Sequence, residues 1–458
     1  MSALLPPLAL ALNVLALPAA ASTPPPSLFP FDVDVLDSGL TLVTVPTGPT
    51  GTVAYYTLVK AGSRDEVEPG KSGYAHLFEH LMFRGTKAVP AAAYEKKMQA
   101  LGADANAFTT DDFTLYVPTI PKESLAELIP LEADRFMHLD VAEVPYKDET
   151  GAVLGEFNKD AASPLWKMDE AMRELAFTKH TYGHTTIGYE KDVRAMPASH
   201  AYSTSFFARF YTPDDCVIFA VGDVEHGDVL ARVKKEYAPW KGKRATTATA
   251  PEPEQSAPRV KALTWTGPTP PRMVVAYKVP AAQNLDDVAA MAVLTTLLFG
   301  EPSALYQRLV VKEQKLLSLA ADPDDAMHKD PGLLPIAATL KPGASSFDEV
   351  GAAIQAALDA VAAKGPDAAE VAAARAHVKN ALLLSMQTPG AIAINLAAYT
   401  ARVGDVHALD RYVAALAKVT AEDLRRVAKA YFTAARRTTI TLSPPMPDAK
   451  AGAKTGGK

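Results

Sequence analysis

The run RATTATAPEPEQSAPR, Arg244 to Arg259, divides the chain into two stretches of nearly equal length, about 31–243 and 260–443. Proline fixes φ and removes a backbone donor, so a run of this composition reads as an interdomain linker, 244–259. The two stretches close alike. FYTPDDCVIFAV (Phe210 to Val221) and YFTAARRTTITL (Tyr431 to Leu442) each follow a helical pattern and each pass into a β-rich strand, which points to an internal duplication. Within each half, strand-like runs such as VAYYTLVKAG and NAFTTDDFTLYVP alternate with amphipathic helices such as KESLAELIPLEADRFMHL and VGAAIQAALDAVAAK. The expected fold class is α+β, with two homologous domains, each a largely antiparallel sheet covered by helices.

Size and charge narrow the function. With 458 residues, 48% of them hydrophobic, and a net charge of −6, the chain can fill two or three full cores and shows no basic cluster that would neutralise nucleic-acid phosphates. No nucleic-acid partner is expected. A single cysteine, Cys216, excludes an internal disulfide framework and a Cys-rich zinc site, so any metal would need His and carboxylate ligands. Residues 1–21, MSALLPPLALALNVLALPAAA, read as a cleaved signal peptide ending in an Ala-x-Ala pattern, with an uncleaved membrane anchor as the other reading. No other stretch approaches 18 apolar residues on this reading. The mature chain is then expected to be periplasmic or secreted, with no stable membrane insertion. The tail 444–458 reads as disordered.

The segment SGYAHLFEHLMFRGT, Ser72 to Thr86, carries two histidines and a glutamate in an otherwise apolar run. As a helix capped by Ser72 and closed by Gly85, it spreads Tyr74, Leu77, Phe78, Leu81 and Met82 around most of its circumference, the pattern of a helix packed inside a domain. His76, Glu79 and His80 fall at i, i+3 and i+4 on one face. Burying such groups unpaired costs several kcal/mol, so they need partners. KDETGAVLGEF offers one: Glu149 and Glu156 are two helical turns apart and face one side, while Val153, Leu154 and Phe157 can pack inward. Gly151 and Gly155 weaken that helix by about 1 kcal/mol each relative to Ala, which suggests a closely approaching backbone.

Two imidazoles at i, i+4 and one glutamate from elsewhere make the His₂Glu set of a catalytic zinc whose fourth position is open to water. Glu79, adjacent to His80, is the spare carboxylate that can take a proton from the metal-bound water during attack on a carbonyl and pass it to the leaving amine. The competing reading of the motif alone is a helix with merely hydrogen-bonded histidines.

HLFEH, followed by Glu149 and Glu156 in ETGAVLGE, resembles the inverzincin signature of the insulinase/pitrilysin metallopeptidases, which include the mitochondrial processing peptidase. AGSRDE, GADANAFTTDDFTLYVP, YGHTTIGYEKDV, YTPDDCVIFAVGDV and FGEPSALYQRLVVKEQ extend the resemblance over most of residues 35–442. The resemblance implies Zn2+ held by His76, His80 and Glu156, Glu79 as general base, and Glu149 as a supporting carboxylate of the catalytic site. It also implies that the strand around Asn106, Ala107 and Phe108 pairs with an extended peptide substrate, a mode that uses main-chain bonds and tolerates many side chains. The halves are similar in size to those of the smaller members, in which two chains form a clam-like dimer around a chamber.

Members that act alone or as homodimers carry an Arg and, seven residues later, a Tyr beside a K-E-Q-like element. Aligned on Lys312, Glu313 and Gln314, this chain has Val310 and Leu317 at those places, and neither side chain can donate a hydrogen bond. Arg308 and Tyr306 lie nearby but lack the spacing. The resemblance therefore implies a heterodimer with a related subunit that lacks the zinc motif, a homodimer being the other arrangement. The leading function is a zinc metalloendopeptidase acting on unfolded peptides in the cell envelope. The alternatives are a non-catalytic peptide-binding or assembly subunit of the same fold and a structural zinc protein, the last short of a fourth ligand.

Overall fold

The computed structural model describes residues 27–323 and 326–445. The 1–21 segment and the tail beyond 445 lie outside the described residues. Two sheets make up the framework. The first contains β1 (Asp32–Val35), β2 (Thr41–Pro46), β3 (Thr52–Val59), β4 (Ala107–Thr109), β5 (Thr114–Tyr116), β6 (Thr119–Pro121) and β7 (Cys216–Gly222), in the order β1-β2-β7-β3-β5-β4, with β6 also paired to β3. The second contains β8 (Arg259–Thr264), β9 (Arg272–Lys278), β10 (Leu316–Ala321), β11 (Leu333–Leu340) and β12 (Arg437–Ser443), in the order β10-β11-β9-β12-β8.

Read from β8, the second sheet repeats the first. The order β8-β12-β9-β11-β10 matches β2-β7-β3-β5-β4, with the first pair parallel and the rest antiparallel in both. The strands that close each half, β7 and β12, each follow a helix and one short 3₁₀ turn, as the matching sequence endings suggest. β3 and β7, rich in Val, Ile, Tyr and Phe, lie at the centre of the first sheet and are buried on both faces.

Helices on one face of each sheet form its main core, and the opposite face is covered by a helix from the other half. The helix α1 (Tyr74–Leu81), α2 (Ala91–Ala100) and α3 (Leu125–His138) belong to the first half, as do α4 (Glu143–Ala161) and α5 (Pro164–Ala176). α5 leaves its own sheet and buries Met168 and Met172 against Ala276, Ile440 and Leu442 of the second. In return, the helix Pro389–Val403 sets Ile392, Leu396 and Ala397 against Tyr56, Phe219 and Val221 of the first. A fully buried side chain of this size contributes about 1.5–3 kcal/mol, so the exchange locks the halves together.

The 244–258 stretch has no helix or strand but is fastened along its length. Arg244 bonds Asp65 and Asp215, and the Glu252 carboxylate accepts the N–H groups of Thr178, Lys179 and His180. One reading of the hydropathy needs correction. Leu285–Lys312 is long and apolar enough to cross a membrane by length and composition. Most of Leu285–Phe299 is buried in the core of the second half, where apolarity on all sides serves packing.

Candidate active site

α1 is eight residues long, and its apolar positions Tyr74, Leu77, Phe78 and Leu81 are buried, Phe78 stacking on Phe206 and Phe207. So short a helix depends on what holds its ends. The expected Ser72 cap is replaced by another arrangement. Gly73 occupies the N-cap position with φ +89°, and the buried Glu66 carboxylate accepts the N–H groups of Gly73 (2.6 Å) and Ala75 (2.7 Å). Burial pushes the Glu66 pKa well above the usual carboxylate range, with the Ala75 and Gly73 N–H groups opposing. Ser72 instead donates its hydroxyl to Asp192 (2.7 Å) and accepts the Tyr189 N–H (2.9 Å), tying the start of α1 to the Gly188 turn. Gly188 has φ +91°, and a Cβ there would stand 2.7–2.8 Å from the Ser72–Gly73 backbone. Gly73 is equally crowded, by the Ile187 carbonyl.

α4 lies beside α1 with Val153 and Phe157 buried and Leu154 half-buried. The close approach expected at Gly151 and Gly155 is absent: both face open space, and nothing lies within 4 Å of where their Cβ atoms would be. The structure offers no packing reason for either glycine.

His76, His80 and Glu156 converge. One ligand atom from each lies within 4.8 Å of the others, Glu156 Oε2 being 3.4 Å from His80 Nε2 and 3.7 Å from His76 Nε2. Three corners of a tetrahedron with bonds of 2.0–2.1 Å stand about 3.4 Å apart, so this donor set fits a small N/O-coordinated cation such as zinc, with one corner left open. Burial, followed by the neighbouring His80, lowers the His76 pKa to about 3, which keeps that imidazole neutral and able to ligate.

Glu149 does not join the three. Its Oε1 accepts His80 Nδ1–H at 2.9 Å, which fixes the tautomer that leaves Nε2 free, and its Oε2 accepts from the Arg84 guanidinium. The same bond raises the His80 pKa above its ordinary value. Burial pushes the Glu149 pKa up, but His80 and Arg84 outweigh it and hold the carboxyl below the usual range.

Glu79 is half-buried, and its Oε2 accepts the Thr109 hydroxyl at 2.6 Å. Burial raises its pKa, partly offset by Thr109 and His80, which suits a group that must exchange a proton near neutrality. Glu79, His80, Arg84 and Glu149 open onto a cleft of about 640 Å³ that Phe83, Tyr94 and Met98 also line.

β4 is the outer strand of its sheet and leaves one edge unpaired. The Asn106 carbonyl accepts from Val117 N–H and Thr110 N–H donates to the Phe113 carbonyl, so the main chains of Asn106 and Phe108 face β5, while those of Ala107 and Thr109 face the free edge. The exposed Asn106 precedes the strand and its side-chain oxygen accepts Ala107 N–H (2.9 Å); the Phe108 ring packs edge-on against Phe113. Glu66, Asp192, Arg84 and Thr109 had no assigned role in the sequence reading. Glu66 and Asp192 stood within AGSRDE and YGHTTIGYEKDV, but nothing local shows that these acids reach α1.

A two-sheet α+β fold carrying an H-x-x-E-H helix beside a glutamate helix defines the inverted zinc-peptidase class. Comparison with known proteins agrees. The family "Insulinase (Peptidase family M16)" matches residues 42–190, and "Peptidase M16 inactive domain" matches residues 199–378. The chain belongs to the insulinase family, M16. It is 28% identical over 414 residues to the zinc protease PqqE of Helicobacter pylori, covering 89% of this chain and 92% of that protein. An uncharacterised zinc protease of Streptomyces coelicolor is 25% identical over 421 residues, covering 91% and 90%. The crystal structure of a protease from Helicobacter pylori superposes with a TM-score of 0.84 at 27% identity, covering 91% of this chain and all of that one.

Proposed function

We propose that the chain is a zinc metalloendopeptidase that hydrolyses unfolded peptides in the cell envelope. The observation that carries this reading is the convergence of His76, His80 and Glu156 with Glu79 adjacent to them. Zinc at those three donors would polarise a peptide carbonyl and acidify a water molecule. The chain's own groups do the rest. Glu79 takes a proton from the attacking water and returns it to the leaving nitrogen; Glu149 keeps His80 in the ligating tautomer; the free edge at Ala107 and Thr109 receives an extended backbone. Placement in the envelope rests on the apolar 1–21 segment.

At the two second-half places where the resemblance would put an Arg and a Tyr, the chain offers no side-chain donor. Val310 is half-buried, Leu317 is exposed, and neither can stabilise a developing oxyanion, a contribution of about 100- to 1000-fold per donor. A related subunit without the zinc motif would complete the site in a heterodimer. The same gap favours the second reading, a non-catalytic peptide-binding or assembly subunit. Zinc analysis and turnover of a quenched peptide library, for the chain alone and co-expressed with a motif-lacking relative, decide between them. Zinc with chelator-sensitive turnover supports the peptidase; zinc-free protein, or no turnover in either state, supports the second reading. Full activity from the chain alone overturns the partner.

A further inference from the structure

We propose that Thr109 is a positioning residue for Glu79, so that the strand offered to the substrate also aligns the base; this rests on the reading of Glu79 as general base. The phase of β4 is set by the bonds of Asn106 and Thr110 to β5, which leaves the Thr109 main chain on the free edge. Its side chain lies on the α1 side, where Oγ1 donates to Glu79 Oε2 at 2.6 Å. Among the described residues, that hydroxyl makes no other bond. Glu79 has three side-chain torsions to fix, and among the described residues Thr109 supplies its one side-chain hydrogen bond. With Oε2 engaged, the carboxylate is held in one rotamer while its remaining lone pairs stay available for the proton.

The strand does not depend on this bond for its own place. Beyond Thr109 the turn is pinned by Asp111, which accepts from Arg173 (2.9 and 3.0 Å), Ser63 (3.0 Å) and His328 (3.2 Å), and by Asp112, which accepts the Tyr182 hydroxyl (2.5 Å) and Lys329 N–H (3.0 Å). Valine is β-branched like threonine and keeps strand preference, so Thr109→Val removes the donor and leaves the strand. A substrate that pairs with β4 would thus be registered against the residue that aims the base, which ties substrate seating to base orientation through one side chain.

The experiment compares wild type, Thr109→Ser and Thr109→Val for zinc content, thermal midpoint, and kcat and KM on one quenched peptide. Loss of a hydrogen bond to a carboxylate predicts a kcat lower by about 10- to 100-fold in Thr109→Val, with zinc content and midpoint unchanged, KM within about 3-fold, and Thr109→Ser close to wild type. Wild-type kcat in Thr109→Val, a loss seen only in KM, or a loss accompanied by zinc release or unfolding would overturn the inference. If wild type hydrolyses nothing, the functional reading fails separately, and crystal structures of wild type and Thr109→Val still decide: a changed Glu79 rotamer supports the positioning role, an unchanged one refutes it.

Discussion

Lys278 on β9 is buried, its Nζ has no hydrogen-bond partner among the described residues, and it lies 3.1 Å from the centroid of the Phe177 ring contributed by the first half. Desolvation lowers its pKa from 10.5 to about 7, with the Glu252 charge opposing. Between about pH 7 and 10.5 the unfolded chain holds a proton that the folded chain has lost, so stability rises with pH across that window, and below pH 7 the whole penalty is present. A shift of this size corresponds to about 4–5 kcal/mol, from which about 1–2 kcal/mol of cation–π attraction to Phe177 is to be deducted. Lys278→Met should therefore stabilise the protein by about 3 kcal/mol at pH 6 and by little at pH 10, where both side chains are uncharged in the fold. Urea unfolding of both proteins at pH 6, 8 and 10 measures it. A gain independent of pH, or a loss at pH 6, would show that the lysine is charged and accommodated, and would refute the reasoning.

Glu149→Gln should weaken zinc binding or activity by about 10- to 100-fold, because it acts through His80, whereas Glu156→Gln should empty the site. Competition titration with a chromophoric chelator separates the two; equal, complete loss would make Glu149 a direct ligand. Gly188→Ala should cost about 3 kcal/mol of stability, since φ +91° and the Ser72–Gly73 backbone 2.7–2.8 Å from the new Cβ both oppose it. Chemical denaturation checks this, and a cost below about 1 kcal/mol would mean that the two turns are not interlocked as described.

What the sequence disclosed and what it hid follow from the range of each interaction. The helical period alone places His76, Glu79 and His80 on one face and sets Glu149 and Glu156 two turns apart, so each face was readable from spacing, while which glutamate meets the histidines came from the family resemblance. The duplicated strand endings likewise foretold two sheets of one topology. Contacts that depend on tertiary approach were not readable. Glu66 lies on an irregular stretch and reaches the start of α1 only because the Ser63–Asp65 turn folds the chain back, whereas local sequence offers Ser72 as the cap. Thr109 was missed because the outward phase of a three-residue strand is fixed by pairing and not by composition. The crossing of α5 onto the second sheet is equally invisible: Met168 and Met172 mark an apolar face without naming what covers it.

The central claim assigns the proton to Glu79 and the cation to His76, His80 and Glu156. It is tested most directly by purifying Glu79→Gln and measuring zinc per chain together with peptide turnover, under conditions in which wild type is active. The account predicts about one zinc per chain, as in wild type, with turnover reduced by at least about 100-fold. Loss of the metal from Glu79→Gln, or turnover equal to wild type, would contradict it.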